Sequence, residues 1–208
     1  MVRWISGSVR TGMPQASKNR RLEQRQETTG RLLEVSLELF VRKGYAGTTA
    51  RDIAERAHVS PGLMFHYFPS KQAILEEHAK AVAQGIELVV QLLVTGTEPL
   101  ETLTTIAQMN LESFKESYSK NLFLLANQIL LLESIPAAVK EMVSATKTLE
   151  ASVPLIIAGQ HRSEIKPGDP LALAVAFWGA LQGIAEVLVS YPTAPIPRAE
   201  DVVDLLRA

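Results

Sequence analysis

Three helix-start signals in quick succession constrain the fold of this chain more than any other feature. Thr49 is followed three residues later by Asp52, which is the spacing of a capping box. Ser60 precedes Pro61, so a favourable N-cap residue stands before a proline in the first helical turn. Ser70 supplies a third N-cap. We therefore predict two short helices and the start of a third within this segment.

The first two of these helices have the spacing of a helix-turn-helix motif. The first is predicted to run through Ala57, and only residues 58–60 separate it from the second. Ala54 is small enough for the two helices to cross closely. Phe68 is expected to act as a wedge between the second helix and the third.

A longer helix is predicted before this motif. From Glu27 onward, apolar side chains recur at spacings of three and four residues, and Lys43 followed by Gly44 supplies a helix stop. The recurring positions are Leu32, Leu33, Ser36, Leu37 and Phe40. Residues 1–25 mix Gly, Ser, Pro, Gln and Arg without an apolar period, and they are predicted to be a flexible basic arm.

The chain after Ser70 has the apolar-rich pattern of helices and lacks the alternating runs that predict hairpin strands. The predicted breaks lie near residues 95–99, 117–120, 134–136, 160–170 and 191–197. The predicted fold class is therefore all-α: an N-terminal three-helix helix-turn-helix head, joined by a long fourth helix to a C-terminal helical domain. The predicted divisions are residues 1–25 for the arm, 26–75 for the head and 76–208 for the C-terminal domain.

The composition and the motifs exclude several classes of function. The chain has no cysteine, so disulfides, thiolate zinc sites and cysteine nucleophiles are ruled out. It has no glycine-rich phosphate loop, His-Glu-x-x-His or Gly-x-Ser-x-Gly motif, and His58, His66 and His78 lack the spacing of metal ligands. We expect no enzyme activity, no cofactor and no metal. Since the N-terminal residues lack the apolar run of a secretory signal, a cytoplasmic protein is expected.

Charge is distributed unevenly along the chain. Residues 1–80 contain 13 Lys and Arg against 8 Asp and Glu, whereas residues 81–208 contain 8 against 14. A basic N-terminal part suits a polyanion such as DNA, since each neutralised phosphate releases its counterions. The same excess also fits a merely solvated basic tail.

Residues 38–75 closely resemble the DNA-binding head of the tetracycline-repressor (TetR) family. The matching features are Leu39-Phe40 followed by Gly44-Tyr45, Thr48-Thr49, Ile53-Ala54, Val59-Ser60, and Tyr67-Phe68 followed by Ser70-Lys71. The resemblance implies a homodimeric transcriptional regulator, a repressor that leaves a palindromic operator when a small molecule binds to it. Members often have glycine at the position of His58, where the turn needs a positive φ angle that histidine tolerates better than most residues.

The resemblance also implies which residues contact DNA, with residues 60–67 as the recognition helix. Arg51 is the candidate for a bidentate contact with guanine and is assigned the largest share of base discrimination. Leu63 suits a thymine methyl group, and His66 suits a base edge or a phosphate. The implied DNA-binding residues are Thr49, Arg51, Ser60, Pro61, Gly62, Leu63, His66, Tyr67 and Lys71.

Several of these residues are expected to hold phosphates rather than to read bases. Helix N-caps place free backbone amides near the DNA backbone, and a lysine and a tyrosine hydroxyl add to them. The expected phosphate-binding positions are Thr49, Ser60, Ser70, Tyr67 and Lys71. Met64 and Phe65 are assigned to the core, because so short a helix is not expected to expose every apolar residue.

Residues 171–189 are almost wholly apolar and long enough to span a membrane, but Gln182 and Glu186 argue against a span. Small residues recur there at spacings that let two helices approach closely, namely Ala172, Ala176, Gly179, Ala180 and Gly183. Together with the amphipathic segment 199–206, they resemble the helix pair through which TetR-family subunits dimerise. The predicted homodimer interface is residues 168–190 and 199–207.

Polar and aromatic residues within the apolar middle helices are the candidates for an effector site. Such a site is mostly apolar with a few orienting groups, so we expect a small, largely apolar effector molecule. The candidate ligand-binding residues are Asn110, Phe114, Phe123, Asn127, Gln128, Met142, Trp178 and Gln182. Two alternatives stay open: a helical small-molecule binding protein without operator binding, and a DNA-binding protein that needs no ligand.

Overall fold

The structure, a computed structural model, describes the backbone of residues 15–143 and 146–208 and the side chains of residues 19–143 and 147–208. Within these ranges it consists of helices and connecting turns, with one isolated β-bridge between Ile165 and Arg207. The helices are α1 (Gln15–Lys43), α2 (Ala50–Arg56), α3 (Pro61–Tyr67), α4 (Lys71–Thr95), α5 (Pro99–Ser113), α6 (Ser117–Leu131), α7 (Ala137–Met142), α8 (Thr146–His161), α9 (Pro170–Ser190) and α10 (Ala199–Val203). The predicted all-α class is confirmed.

Helix α1 begins about three turns earlier than the sequence pattern predicted. Residues 15–25 are helical in the structure, so the prediction of a flexible arm is wrong for this part of the chain. The segment contains alanine, lysine, arginine, glutamine and glutamate, which are strong helix formers, and it follows the last proline of the N-terminal region. Its described side chains are all exposed, and the first buried one in the helix is Thr28. Residues 1–14 lie outside the described residues.

Two of the predicted boundaries also shift. The break predicted at residues 117–120 lies instead at 114–116, because α6 begins at Ser117 without a side-chain cap. The break predicted at 134–136 begins earlier, since α6 ends at Leu131.

Helix α4 joins two hydrophobic clusters. Its first half contributes Ile74, Leu75 and Val82 to a cluster that also contains α1, α2, α3, α6 and α7. Its last turns contribute Leu93 to a second cluster formed with α5, α8, α9 and α10. The head is therefore packed directly onto α6 and α7, and the predicted boundary at residue 75 falls inside a continuous helix that belongs to both clusters.

Helix α9 buries one side and exposes the other. Phe177, Leu181 and Ala185 are fully buried against the second cluster. On the opposite side Val175 and Val187 are about half exposed. This is the one helix among the described residues that is long and apolar enough, by length and composition alone, to cross a membrane.

Candidate nucleic-acid interface and ligand cavity

The caps predicted for the two short helices are present in the structure. Thr49 Oγ1 accepts a hydrogen bond from the backbone N–H of Asp52 at 3.0 Å, and the Asp52 carboxylate accepts from the Thr49 N–H at 2.8 Å. The latter bond holds the pKa of Asp52 below its usual value. Ser60 Oγ accepts from the N–H of Leu63 at 3.1 Å. His58 has a φ of 55°, so this turn adopts the left-handed conformation expected there.

The exposed face of α3 differs from the prediction at one residue. Met64 is fully buried, as expected, but the Phe65 side chain is 49% exposed. Met64 and Phe68 are four residues apart and form the one apolar face that this helix of seven residues buries. Phe65 is rotated by about 100° from that face. The core assignment of Phe65 is therefore wrong, and the residue lies on the outer surface of α3.

The predicted contact residues of α3 lie on this same surface. Pro61, Gly62, Leu63 and His66 are exposed, and Tyr67 is partly buried with its ring 5.7 Å from that of His66. The surface therefore presents apolar and aromatic groups, a histidine and one tyrosine hydroxyl.

Arg51 is the cation at the start of α2 that is available to a partner. It is exposed and makes no ion pair within the described residues. By contrast, Arg56 in the last turn of the same helix is bound to Glu38 at 2.8 Å. Arg51 can therefore contact another molecule without losing an internal partner.

Lys71 has a structural role that the sequence did not reveal. Its ammonium donates to the backbone carbonyls of Tyr45 and Thr48, both at 2.7 Å, and lies 4.0 Å from the centroid of the Tyr45 ring. Partial burial lowers the pKa of Lys71. Since an ammonium has three protons, one is left for a phosphate. Lys71 thus fixes the turn between α1 and α2 onto the start of α4.

A cavity of about 560 Å³ lies between α4, α5, α6, α8 and α9. Its lining is mainly apolar, with seven polar side chains that carry a hydroxyl or an amide. These are Asn110, Ser113, Tyr118, Ser119, Asn127, Thr148 and Gln182. None of the residues that line the cavity in the described part of the chain is a lysine, arginine, aspartate or glutamate.

Five of the eight residues predicted for the effector site line this cavity: Asn110, Phe123, Asn127, Trp178 and Gln182. The other three do not. Phe114 is 1% exposed and packs edge-on against Phe123 in the core behind the wall. Gln128 points the other way and donates to the carbonyl of Val41 at 3.2 Å. Met142 packs against the first hydrophobic cluster.

The contribution of α4 to the cavity was not predicted from the sequence. Ala81 and Gly85 are one helical turn apart and line the cavity together with Ile86, Leu88 and Val89. A Cβ added at Gly85 would meet nothing within 4 Å. The pair of small residues on one face of α4 leaves room for a ligand beside the helix, and this spacing is the pattern that could have revealed the site.

Several of the polar side chains in the cavity wall are held in place by hydrogen bonds. The Asn127 amide donates to Gln182 Oε1, and Gln182 Nε2 donates in turn to Glu186 at 2.7 Å. Trp178 Nε1 donates to Ser152 Oγ at 3.1 Å. These bonds fix the orientation of Asn127, Gln182 and Trp178 in the cavity wall.

Comparison with known proteins agrees with the geometry of the head. A family model described as bacterial regulatory proteins of the tetR family matches residues 32–78. The HTH-type transcriptional repressor KstR2 of Mycolicibacterium smegmatis is 31% identical over 90 residues, which are 43% of this chain and 44% of that protein. The chain therefore matches less than half the length of this repressor.

Solved structures of similar fold cover most of the chain. The ketosteroid transcriptional regulator KstR2 of Mycobacterium tuberculosis has a TM-score of 0.64 at 19% identity, over 86% of this chain and 95% of that one. AibR in complex with isovaleryl coenzyme A and operator DNA has a TM-score of 0.61 at 18% identity, over 85% and 94%. These structures establish the common fold, and the match over residues 32–78 establishes the type of head. Residues 32–78 are therefore a head of the type described for the tetR family of bacterial regulatory proteins, and the chain as a whole shares the fold of such regulators.

Proposed function

We propose that this protein is a cytoplasmic transcriptional repressor that binds a palindromic operator as a homodimer and leaves it when a small, largely apolar molecule enters the cavity. The observation that carries this proposal is the course of α4. Its N-terminus follows the recognition helix after only three residues, and residues 81–89 of the same helix line the cavity. A ligand that favours a different tilt of α4 must, by linkage, weaken DNA binding by the same factor.

DNA recognition is assigned to the exposed surface of α3 and to Arg51. Arg51 supplies the bidentate contact to guanine, and Leu63 contacts a thymine methyl group. The exposed ring of Phe65 extends the apolar part of this surface and is added to the predicted contact residues. The phosphate contacts come from Thr49, Ser60, Tyr67 and the remaining proton of Lys71 together with the nearby backbone amides. Pro61, Gly62 and His66 complete the contact surface.

Dimerisation is assigned to α9 and to the segment around α10. The exposed side of α9 carries Ala172, Ala176 and Gly179, which are small enough for a second helix to approach. Next to it, an apolar groove of about 490 Å³ runs between α9 and residues 194–205. A continuous apolar surface of this kind is costly to leave in water. A second copy of the chain covers it, which accounts for the apolar character of α9 without a membrane.

The composition of the cavity wall indicates the chemistry of the effector. AibR is described with isovaleryl coenzyme A, whose phosphates are strongly anionic. The cavity described here has no lysine or arginine in its wall, so an anionic group inside it would lack a counter-charge. We therefore assign a neutral effector that buries an apolar body and meets the amides of Asn110, Asn127 and Gln182.

The test is an electrophoretic mobility shift with the DNA upstream of the protein's own gene, at several salt concentrations and with neutral apolar compounds that raise the melting temperature of the protein. Specific binding that such a compound reverses supports the repressor. Binding that no stabilising compound changes favours a ligand-independent DNA-binding protein. Stabilising compounds without specific DNA binding favour a helical small-molecule binding protein.

A further inference from the structure

A buried chain of hydrogen bonds crosses from the cavity wall to the head. It contains Tyr118 on α6, His78 on α4 and Ser36 on α1. The Tyr118 hydroxyl lies 3.4 Å from Nδ1 of His78, and Nε2 of His78 lies 2.9 Å from Ser36 Oγ. His78 and Ser36 are fully buried, whereas Tyr118 is partly buried and lines the cavity. Three helices from the two parts of the molecule therefore meet at one polar centre.

Counting protons assigns a direction to each of these hydrogen bonds. The carbonyl of Leu33, 2.9 Å from Ser36 Oγ, can only accept, so both bonds of Ser36 are satisfied when its one proton goes to that carbonyl and its oxygen accepts from His78. The neutral imidazole then carries its single proton on Nε2, and Nδ1 is left as an acceptor for the Tyr118 hydroxyl. Burial lowers the pKa of His78 to about 4, against the weak opposing field of Glu77, so the ring is neutral near pH 7.

The link at the cavity end is the weakest of the three. At 3.4 Å it is longer than an ordinary hydroxyl hydrogen bond, whereas the other two are 2.9 Å. Burial raises the pKa of Tyr118, so its hydroxyl keeps its proton. That proton can be donated to one strong acceptor at a time. A competing acceptor in the cavity can therefore take it from His78.

We propose that Tyr118 is the residue through which an effector acts on the head, and that the effector presents a neutral acceptor oxygen, such as a carbonyl, to its hydroxyl. This inference rests on the proposed function. When the effector takes the Tyr118 proton, His78 Nδ1 is left buried without a donor, which destabilises the arrangement of α1, α4 and α6 that fits DNA. A ligand of the same shape without the acceptor oxygen fills the cavity but leaves the hydrogen bonds between Tyr118, His78 and Ser36 intact.

The first experiment needs no effector. Tyr118→Phe removes the hydroxyl and leaves the ring, so it imitates the effector-bound state at His78. With a palindrome selected from randomised DNA, we expect Tyr118→Phe to weaken binding about tenfold by fluorescence anisotropy, within the usual range of allosteric coupling. Tyr191→Phe is the matched control, because it removes an exposed tyrosine hydroxyl that lies outside these hydrogen bonds and outside the cavity wall. Its affinity is expected to be that of the wild type.

A double-mutant cycle tests whether the hydrogen bonds at the two ends of this series are coupled or independent. Ser36→Ala breaks the other end and is also expected to weaken DNA binding, but the double variant Tyr118→Phe, Ser36→Ala should lose less than the product of the two single effects. Strictly multiplicative effects, or an unchanged affinity in Tyr118→Phe, overturn the inference while leaving the proposed function standing. If the wild type selects no DNA sequence, the proposed function itself fails.

Two compounds of nearly the same shape test the effector chemistry. 2-Acetylnaphthalene has a carbonyl oxygen where 2-isopropenylnaphthalene has a methylene group. At equal occupancy measured by calorimetry, the ketone is expected to release the palindrome from the wild type and to lose this effect in Tyr118→Phe, while the alkene releases little in either. Equal release by the two compounds, or binding of neither, overturns the assigned effector chemistry. A nitrogen-15 NMR spectrum that places the His78 proton on Nδ1 overturns the assigned directions of these hydrogen bonds.

Discussion

Mild acid is expected to destabilise the protein through His78. The residue is fully buried, and burial lowers its pKa from 6.5 to about 4. In the unfolded chain the ring takes up a proton as the pH falls below 6.5, whereas in the folded protein it stays neutral until the pH approaches 4. The contribution of His78 to stability is therefore fully present above pH 6.5 and is lost progressively as the pH falls from 6.5 to 4.

The size of this loss follows from the two pKa values. Each unit of difference corresponds to about 1.4 kcal/mol. At a pH of about 5 the free energy of unfolding should be lower by about 2 kcal/mol per subunit than at neutral pH, and the full loss below pH 4 should be about 3 kcal/mol.

The assay is urea unfolding at a fixed protein concentration across this pH range. His78→Gln removes the titrating ring and keeps a hydrogen-bonding side chain. The difference in the free energy of unfolding between wild type and variant therefore cancels the pH-dependent contributions of other titrating groups, including Asp52. The variant should lose about 2 kcal/mol less than the wild type between neutral pH and a pH of about 5. His161→Gln, at an exposed histidine, is the control and should behave as the wild type. Equal pH dependence in His78→Gln and wild type would show that His78 is not the source of the acid sensitivity.

The remaining predictions concern the head and the dimer. Arg51→Ala should reduce discrimination at one base position by about 1–3 kcal/mol in competition binding with single-base variants, whereas Tyr67→Phe should weaken binding to all sequences alike; an unchanged sequence preference in Arg51→Ala contradicts the base assignment. Met64→Ala should cost about 2–5 kcal/mol of unfolding free energy, because it empties a fully buried position; a change below 1 kcal/mol argues against this packing. A Cβ at Gly183 would meet nothing within 4 Å in the subunit, so Gly183→Leu should leave each subunit folded but dissociate the dimer in sedimentation experiments; a wild-type monomer, or a variant that stays dimeric, contradicts the interface.

The head could be predicted from the sequence because its determinants are local. A capping box at Thr49, an N-cap and a proline at Ser60 and Pro61, and a positive φ at His58 each involve a few neighbouring residues. The prediction that Phe65 is buried was wrong. Which of the two adjacent residues Met64 and Phe65 is buried depends on how α3 is rotated against α2. That rotation is set by tertiary packing, which local spacing does not encode.

The cavity was predicted less completely, because its wall comes from five helices that are distant in the sequence. The search for polar residues within apolar helices identified Asn127 on α6 and Gln182 on α9, which are hydrogen-bonded to each other. The same criterion wrongly included Gln128, since consecutive residues on a helix point in different directions. It could not reveal Tyr118, whose importance depends on the distant residues His78 and Ser36.

The most direct test of a dimeric repressor is selection of DNA ligands from a randomised duplex library by the protein, followed by sequencing. We expect an inverted repeat, because a two-fold symmetric dimer presents two copies of α3 to equivalent half-sites. We also expect that a neutral apolar compound bound in the cavity releases the selected duplex. Enrichment of no sequence, or of sites without inverted symmetry, would contradict the proposal of a dimeric repressor that reads DNA with α3.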